Sequence, residues 1–140
     1  MTEKLAIDIK VPNQTRYLSL IGKIGEDIAR TIKRYNGDRE ELAYQVNLVL
    51  TEATSNAILH AESCLDDREI HINISIINKD LHIKVYDQGK GFDLKNVPSP
   101  DFGRPEESGR GVYIIQSIMD KVDCSRSSSG HVLEMIKHLH

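Results

Sequence analysis

Apolar and polar side chains alternate along Leu5-Ala-Ile-Asp-Ile-Lys-Val11, which puts Leu5, Ile7, Ile9 and Val11 on one face. A period of two is that of a half-buried strand, and Pro12 with Asn13 closes it. The period then lengthens. Tyr17, Leu20, Ile21, Ile24, Ile28 and Ile32 recur at helical spacing, so a helix is expected from an Asn13 N-cap to about Arg34, stopped by Asn36-Gly37. Asp38, with Glu41 three residues on, reads as the capping pair of a second helix that runs on through residues 50–61. Glu69-Ile-His-Ile-Asn-Ile-Ser-Ile-Ile77 and Leu81-His-Ile-Lys-Val-Tyr-Asp87 both alternate, and Asn78-Lys79-Asp80 between them makes a hairpin. Regularity is then lost, with Pro98, Pro100 and Pro105 set among Gly89, Gly91 and Gly103. A structureless stretch of about 20 residues is unusual inside a compact domain and reads as a functional lid, over about 92–108. After Gly109-Arg-Gly111, Val112, Ile115, Ile118 and Met119 form the apolar face of a third helix. Strands at 121–126 and 131–137 follow, joined by a turn at 127–130. The order βααββαββ predicts an α+β fold, a two-layer sandwich with helices on one face of a mostly antiparallel, mixed sheet.

Size and composition narrow the class. A chain of 140 residues is one domain by length, 1–140, with enough chain for a single core. Hydrophobic residues at 39% and charged residues at 28% describe a soluble globular protein rather than a disordered one. The 18 basic and 21 acidic residues are well mixed, for a net charge of -3, which argues against nucleic acid as the main partner. Cys64 and Cys124 form no CxxC, and the start Met1-Thr-Glu-Lys-Leu has no signal-peptide core. No apolar run approaches the roughly 20 residues that cross a bilayer. The expectation is a cytoplasmic protein with no membrane partner and two packed, unreactive thiols.

Three stretches carry candidate chemistry. On the second helix Leu50, Ala53, Ala57 and Ala61 recur on an inward face, while Glu52, Asn56 and His60 recur every four residues on another. A carboxylate suits a general base, and a carboxamide oxygen can ligate Mg²⁺. The imidazole can donate to a phosphate. Alone, that row fits a solvent-facing polar stripe equally well. Asp87-Gln-Gly-Lys-Gly91 leaves a strand, where Gly89 and Gly91 permit close approach to a planar ligand and Asp87 can accept from an exocyclic amine. Alone, a plain turn is the commoner meaning. Ser108-Gly109-Arg110-Gly111 precedes the third helix, a position suited to phosphate. It is neither a Walker A loop nor a Rossmann fingerprint, since no Gly-Lys-Ser/Thr follows and no parallel βαβ unit surrounds it. His71 and His82 lack partners at metal-ligand spacing, and His138-Leu-His140 reads as a solvated end.

The combination is more specific than its parts. Glu-x3-Asn-x3-His, then Asp-x-Gly-x-Gly, then Gly-x-Gly in that order resembles the GHKL, or Bergerat-fold, ATP-binding domain shared by DNA gyrase, histidine kinases and MutL. More narrowly, Thr51-Glu-Ala-Thr-Ser-Asn-Ala57 with His60-Ala61 is similar to the bacterial anti-sigma-factor serine/threonine kinases of the RsbW and SpoIIAB type. That resemblance extends from the first strand through Lys137. It implies ATP and Mg²⁺ as cofactors, Glu52 as catalytic base, Asn56 as the Mg²⁺ ligand and His60 near the phosphates. It further implies Asp87 reading the adenine amine, Gly89 and Gly91 shaping the pocket floor, and Ser108, Gly109, Arg110 and Gly111 at the phosphates. The implied partners are a sigma factor held inactive, a STAS-domain anti-anti-sigma protein phosphorylated on Ser or Thr, and a second copy of the chain. The lid and the first helix are the expected partner-contacting surfaces.

Two positions depart from the family pattern. Relatives often carry Thr after the glycine of the last turn, where this chain has His131 after Gly130. Some relatives place a basic residue just before Ser-Gly-x-Gly, where Glu107 stands here with Arg104 and Arg110 nearby. The alternative to the kinase is a nucleotide-gated switch of the same fold without kinase activity, or with a non-sigma target. Retention of both Glu52 and Asn56 favours the enzyme. The catalytic half of a histidine kinase is disfavoured by the absence of a phosphoacceptor helical hairpin ahead of the domain.

Overall fold

In β2 (Glu69–Ile77) every second side chain is an isoleucine that leaves water almost completely: Ile70, Ile72, Ile74 and Ile76. β3 (Asp80–Asp87) answers with buried Leu81, Ile83 and Val85, in antiparallel register with Ile74 opposite Ile83. The hairpin turns through Asn78, whose φ of 59° is the left-handed conformation that Asn tolerates by virtue of its short polar side chain. One face of the hairpin is thus apolar, and it recruits the rest of the chain.

The computed structural model describes residues 4–33, 35–60, 69–87, 107–127 and 130–139. Around β2 and β3 stand β1 (Lys4–Pro12), α1 (Leu18–Thr31), α2 (Arg39–His60), α3 (Glu107–Ile118), β4 (Lys121–Ser127) and β5 (Gly130–His138). The sheet order is β1-β2-β3-β5-β4, and all four pairings are antiparallel. Element order and fold class match the sequence expectation, except that the sheet is wholly antiparallel among the described residues where a mixed one was expected. α2 lies over β2 and β3, with α1 and α3 packed against it, so the core is enclosed between the helices and one sheet face. The polar alternates, including Asn73, Ser75 and Lys84, occupy the other face.

α1 crosses α2 at very short range because it presents glycine there. A Cβ built on Gly25 would overlap Leu50 Cδ1 and lie 2.9 Å from Val46 Cγ1, and one on Gly22 would lie 2.6 Å from Asn47 Oδ1. Asn47 is tied on both sides: its amide donates to Glu26 on α1 at 2.8 Å, and it accepts from the Thr51 hydroxyl at 3.1 Å. The segment of α2 leading to Glu52 is therefore held by polar as well as apolar contacts.

Three local expectations are corrected. Asn13 is not a helix cap: a 3₁₀ turn at Thr15–Tyr17 intervenes, preceded by Gln14, and α1 starts only at Leu18. α1 ends at Thr31, because Ile32 is already extended at φ -64°, ψ 123° while its side chain stays in the core. Leu20 is 54% exposed, since adjacent Leu20 and Ile21 are about 100° apart around a helix and Ile21 takes the inward place. The cap at Asp38 holds. Its Oδ1 accepts from the Glu40 N–H at 2.9 Å and the Glu41 N–H at 3.4 Å. Cys124 on β4 packs against the core. Among the described residues no helix is long and apolar enough to cross a membrane.

Candidate functional site

α2 runs unbroken from Arg39 to His60, which places Glu52, Asn56 and His60 on successive turns. Leu50, Ala53 and Ala57 are buried as expected, and small Ala side chains let α2 lie close to its neighbours. Asn56 is 2% exposed and Glu52 is half-buried, so this part of the row is not a solvated stripe. Only three polar or charged side chains are buried among the described residues: Thr54, Asn56 and Asp87. Two of those are site residues expected from the sequence. Burying a polar group is costly unless it is partnered, so their concentration on α2 and the end of β3 marks a place where the fold has been arranged around polar chemistry.

α3 completes the arrangement. A Cβ built on Gly111 would stand 2.7 Å from Glu52 Oε2 and 3.2 Å from Asn56 Nδ2. Any larger residue would push the Glu52 carboxylate aside, so glycine here lets the start of α3 rest directly on the Glu52–Asn56 pair. Val112 and Ile115, buried just beyond, fix that helix in place.

The start of α3 differs from expectation. Ser108, Gly109, Arg110 and Gly111 lie within its opening turns rather than ahead of it, because α3 begins at Glu107. An acidic residue suits a helix N-terminus, and two glycines do not prevent a helix held by packing. The consequence for chemistry is favourable. The first four N–H groups of a helix have no intrahelical acceptor, and here those belong to residues 107–110. The amides offered to an anion are therefore those of the Ser108-Gly109-Arg110 run itself.

Asp87 is the last residue of β3 and stands opposite His131 on β5. Both side chains turn to the helix-facing side, 6% and 12% exposed, with His131 Nδ1 3.8 Å from Asp87 Oδ1. That pairing was not read from the sequence, where His131 stood out only as a departure from Thr. The Thr54 hydroxyl was missed as well; its oxygen is buried with no hydrogen bond among the described residues. Gly89, Gly91, Ala61, Arg104 and the expected lid up to residue 106 lie outside the described residues.

The residues present fit a nucleotide with its Mg²⁺. A half-buried carboxylate and a buried carboxamide sit beside a glycine cradle at a helix N-terminus, the donor set a phosphate chain and a hard cation require. A second carboxylate, that of buried Asp87, ends β3, where it can accept from a base amine.

Known proteins share both fold and sequence. The serine-protein kinase RsbW of Bacillus velezensis is 26% identical over 95% of this chain and 85% of its own length. The anti-sigma F factor of Anoxybacillus flavithermus is 30% identical over 80% of each chain. Among solved structures, the histidine kinase AdeS of Acinetobacter baumannii superposes with a TM-score of 0.54 at 14% identity, covering all of this chain and 69% of AdeS. The histidine kinase domain of the Erythrobacter litoralis blue-light activated kinase gives 0.53 at 19% identity, with 92% of this chain spanning 62% of that domain. Those two likenesses are of fold. Residues 12–137 match the histidine kinase-like ATPase domain, and the chain belongs to that family, grouping within it with the RsbW-type serine-protein kinases and anti-sigma F factors.

Proposed function

We propose that this chain is an ATP-dependent protein serine/threonine kinase and anti-sigma factor, acting over residues 1–140 as one domain and as a homodimer. In this reading it sequesters a sigma factor and phosphorylates a STAS-type anti-anti-sigma protein on Ser or Thr. The observation that supports it is the seat of Gly111 on the Glu52–Asn56 pair, which brings a carboxylate and a carboxamide against the first turns of α3.

The roles follow from the chemistry of each group. Asn56 would hold Mg²⁺ through its carboxamide oxygen. The amides of residues 107–110, with His60 on the last turn of α2, would bind phosphate oxygens and fix their direction. Asp87 would accept from the adenine amine, beside Gly89 and Gly91. Bound Mg-ATP supplies a transferable phosphoryl group whose charge the metal offsets. Glu52 would orient the acceptor hydroxyl and take its proton, from a carboxylate that α3 holds in place. Phosphorylation then adds about −2 charge to the acceptor protein, enough to break its interface with the kinase.

The test is phosphotransfer from Mg-ATP to a STAS-type protein by the wild type, Glu52→Ala and Asn56→Ala, with nucleotide binding measured in each. Ser or Thr phosphorylation that disappears in Glu52→Ala while ATP still binds supports the kinase and its base. ATP binding and sigma-factor binding without transfer would leave the nucleotide-gated switch. No adenine-nucleotide binding at all would defeat the reading.

A further inference from the structure

Resting on the kinase reading, we propose that the acceptor protein docks on the solvent face of α2 ahead of Glu52, with Tyr44 as the aromatic anchor and Leu48 and Ile114 beside it. Tyr44, Leu48 and Glu52 stand on successive turns of α2, so the three project from one side of the helix. Tyr44 is 66% exposed, the most open of the large hydrophobic side chains among the described residues. Leu48 is half-buried, in a helix whose inward positions Val46, Val49 and Leu50 are closed to water. α3 packs alongside and meets this row at Gly111. Ile114, one turn on from Gly111, is half-buried too. An exposed tyrosine standing alone is ordinary. This one stands in line with a reactive carboxylate, and apolar side chains lead from it to that carboxylate.

The direction of the row names the occupant. Phosphoryl transfer runs in line, so the acceptor oxygen approaches the terminal phosphate from the side opposite the leaving ADP. The groups proposed to hold ATP, Asn56 and His60, lie on the C-terminal side of Glu52, and Gly111 closes its α3 side. What remains open is the N-terminal side of the row, where Leu48 and Tyr44 stand. The body of the acceptor therefore rests there while its Ser or Thr reaches Glu52. Tyr44 lies about 12 Å from Glu52 along the helix at 1.5 Å per residue, well within the footprint of one docked protein. The face fits a folded protein whose acceptor hydroxyl borders an apolar patch, since tyrosine and leucine offer contact area and a single phenol for hydrogen bonding. A sigma factor or a second copy needs no access to Glu52, and either one seated here would cover it.

The experiment is steady-state phosphotransfer to a STAS-type acceptor at saturating Mg-ATP by the wild type, Tyr44→Ala, Tyr44→Phe and Tyr113→Ala. ATP affinity, sigma-factor affinity and oligomeric state are measured on the same preparations. Tyr113 is 48% exposed and two residues past Gly111, hence about 200° round α3 from the contact with α2, and it serves as the control. Tyr44→Ala is a surface change and is expected to fold. It should raise the KM for the acceptor about tenfold or more, the scale of an aromatic interface anchor, and retain kcat, since uniform binding is lost. Tyr44→Phe should keep the wild-type KM, because the ring supplies the contact, and Tyr113→Ala should match the wild type. An unchanged KM in Tyr44→Ala would overturn the inference, while transfer by the wild type would leave the kinase reading standing. A rise shared by Tyr113→Ala would overturn it as well. Weaker sigma-factor binding or an altered oligomer in Tyr44→Ala would also overturn it, by assigning the face to that partner. A wild type that transfers to no STAS-type acceptor removes the kinase reading and this inference together.

Discussion

Glu52 and Gly111 meet so closely across the α2–α3 boundary that a methyl group on Gly111 would stand 2.7 Å from Glu52 Oε2. The nearest obstructing atom is the tip of a flexible side chain, so Gly111→Ala can be accommodated by turning Glu52 away, with a shift of a few tenths of an ångström at Asn56, whose Nδ2 would lie 3.2 Å off. In a helix interior alanine is also favoured over glycine by about 1 kcal/mol. Gly111→Ala should therefore melt at or slightly above the wild-type temperature and, with Glu52 in its proposed role, still lose phosphotransfer by about a hundredfold, the lower end of what a general base contributes. Thermal unfolding and transfer assays on one preparation check this. Unchanged transfer would show that Glu52 does not work from its present position.

The crossing of α1 and α2 behaves differently, because the atoms that meet Gly25 are held on all sides. Leu50 is completely buried, and Val46 is nearly so. A side chain at residue 25 has to force the helices apart. Gly25→Val should cost about 2–3 kcal/mol, the upper part of the range for overpacked cores. The midpoint of urea unfolding should fall with its slope preserved. A shift of less than about 0.5 kcal/mol, the ordinary scale of a surface substitution, would mean that the helices separate easily.

The strands and the α2 cap were legible because their signals are local. The isoleucines of β2 alternate without ambiguity, and Asp38 meets its N–H partners within three residues. Leu20 was misplaced because two adjacent apolar residues compete for one inward direction, and only the α2 neighbour decides between them. Gly109 and Gly111 read as a phosphate-suited pair just ahead of the third helix, yet both lie inside it. The structure uses Gly111 as a place where another helix comes near, which is a tertiary fact with no local trace. Glu52 and Asn56 could be paired from their spacing of four. Asp87 and His131 could not, since their meeting depends on β5 inserting between β3 and β4.

Asp38 gives a control on stability alone. Its carboxylate accepts from two N–H groups of the first turn of α2, and replacing such a cap with Ala typically costs about 1 kcal/mol. Glu52 lies about 20 Å further along the helix at 1.5 Å per residue. Asp38→Ala should lower the unfolding free energy by about 1 kcal/mol and leave the transfer rate unchanged well below its melting temperature. Asp38→Asn should recover most of the loss. A fall in transfer at low temperature would mean that fraying of the first turn reaches the site.

The other tie at this end of α2 is sensitive to pH. Arg30 on α1 donates to both oxygens of Glu40, Nε to Oε2 at 3.1 Å and Nη2 to Oε1 at 3.1 Å. Those hydrogen bonds, and then the guanidinium charge, hold the Glu40 carboxyl below its ordinary value. A carboxyl lowered on folding binds its proton more weakly in the folded chain than in the unfolded one. Its contribution is therefore fully present above the ordinary carboxylate value and is lost as pH falls through the lowered one. Glu40→Gln should be less stable than the wild type at neutral pH, and the two should converge on acidification through that window. The difference should also shrink in high salt, because the pair is exposed and screened. Urea unfolding of both proteins across the acid range checks this, and curves that stay parallel through the window would show that the Arg30–Glu40 contact contributes nothing to the acid response.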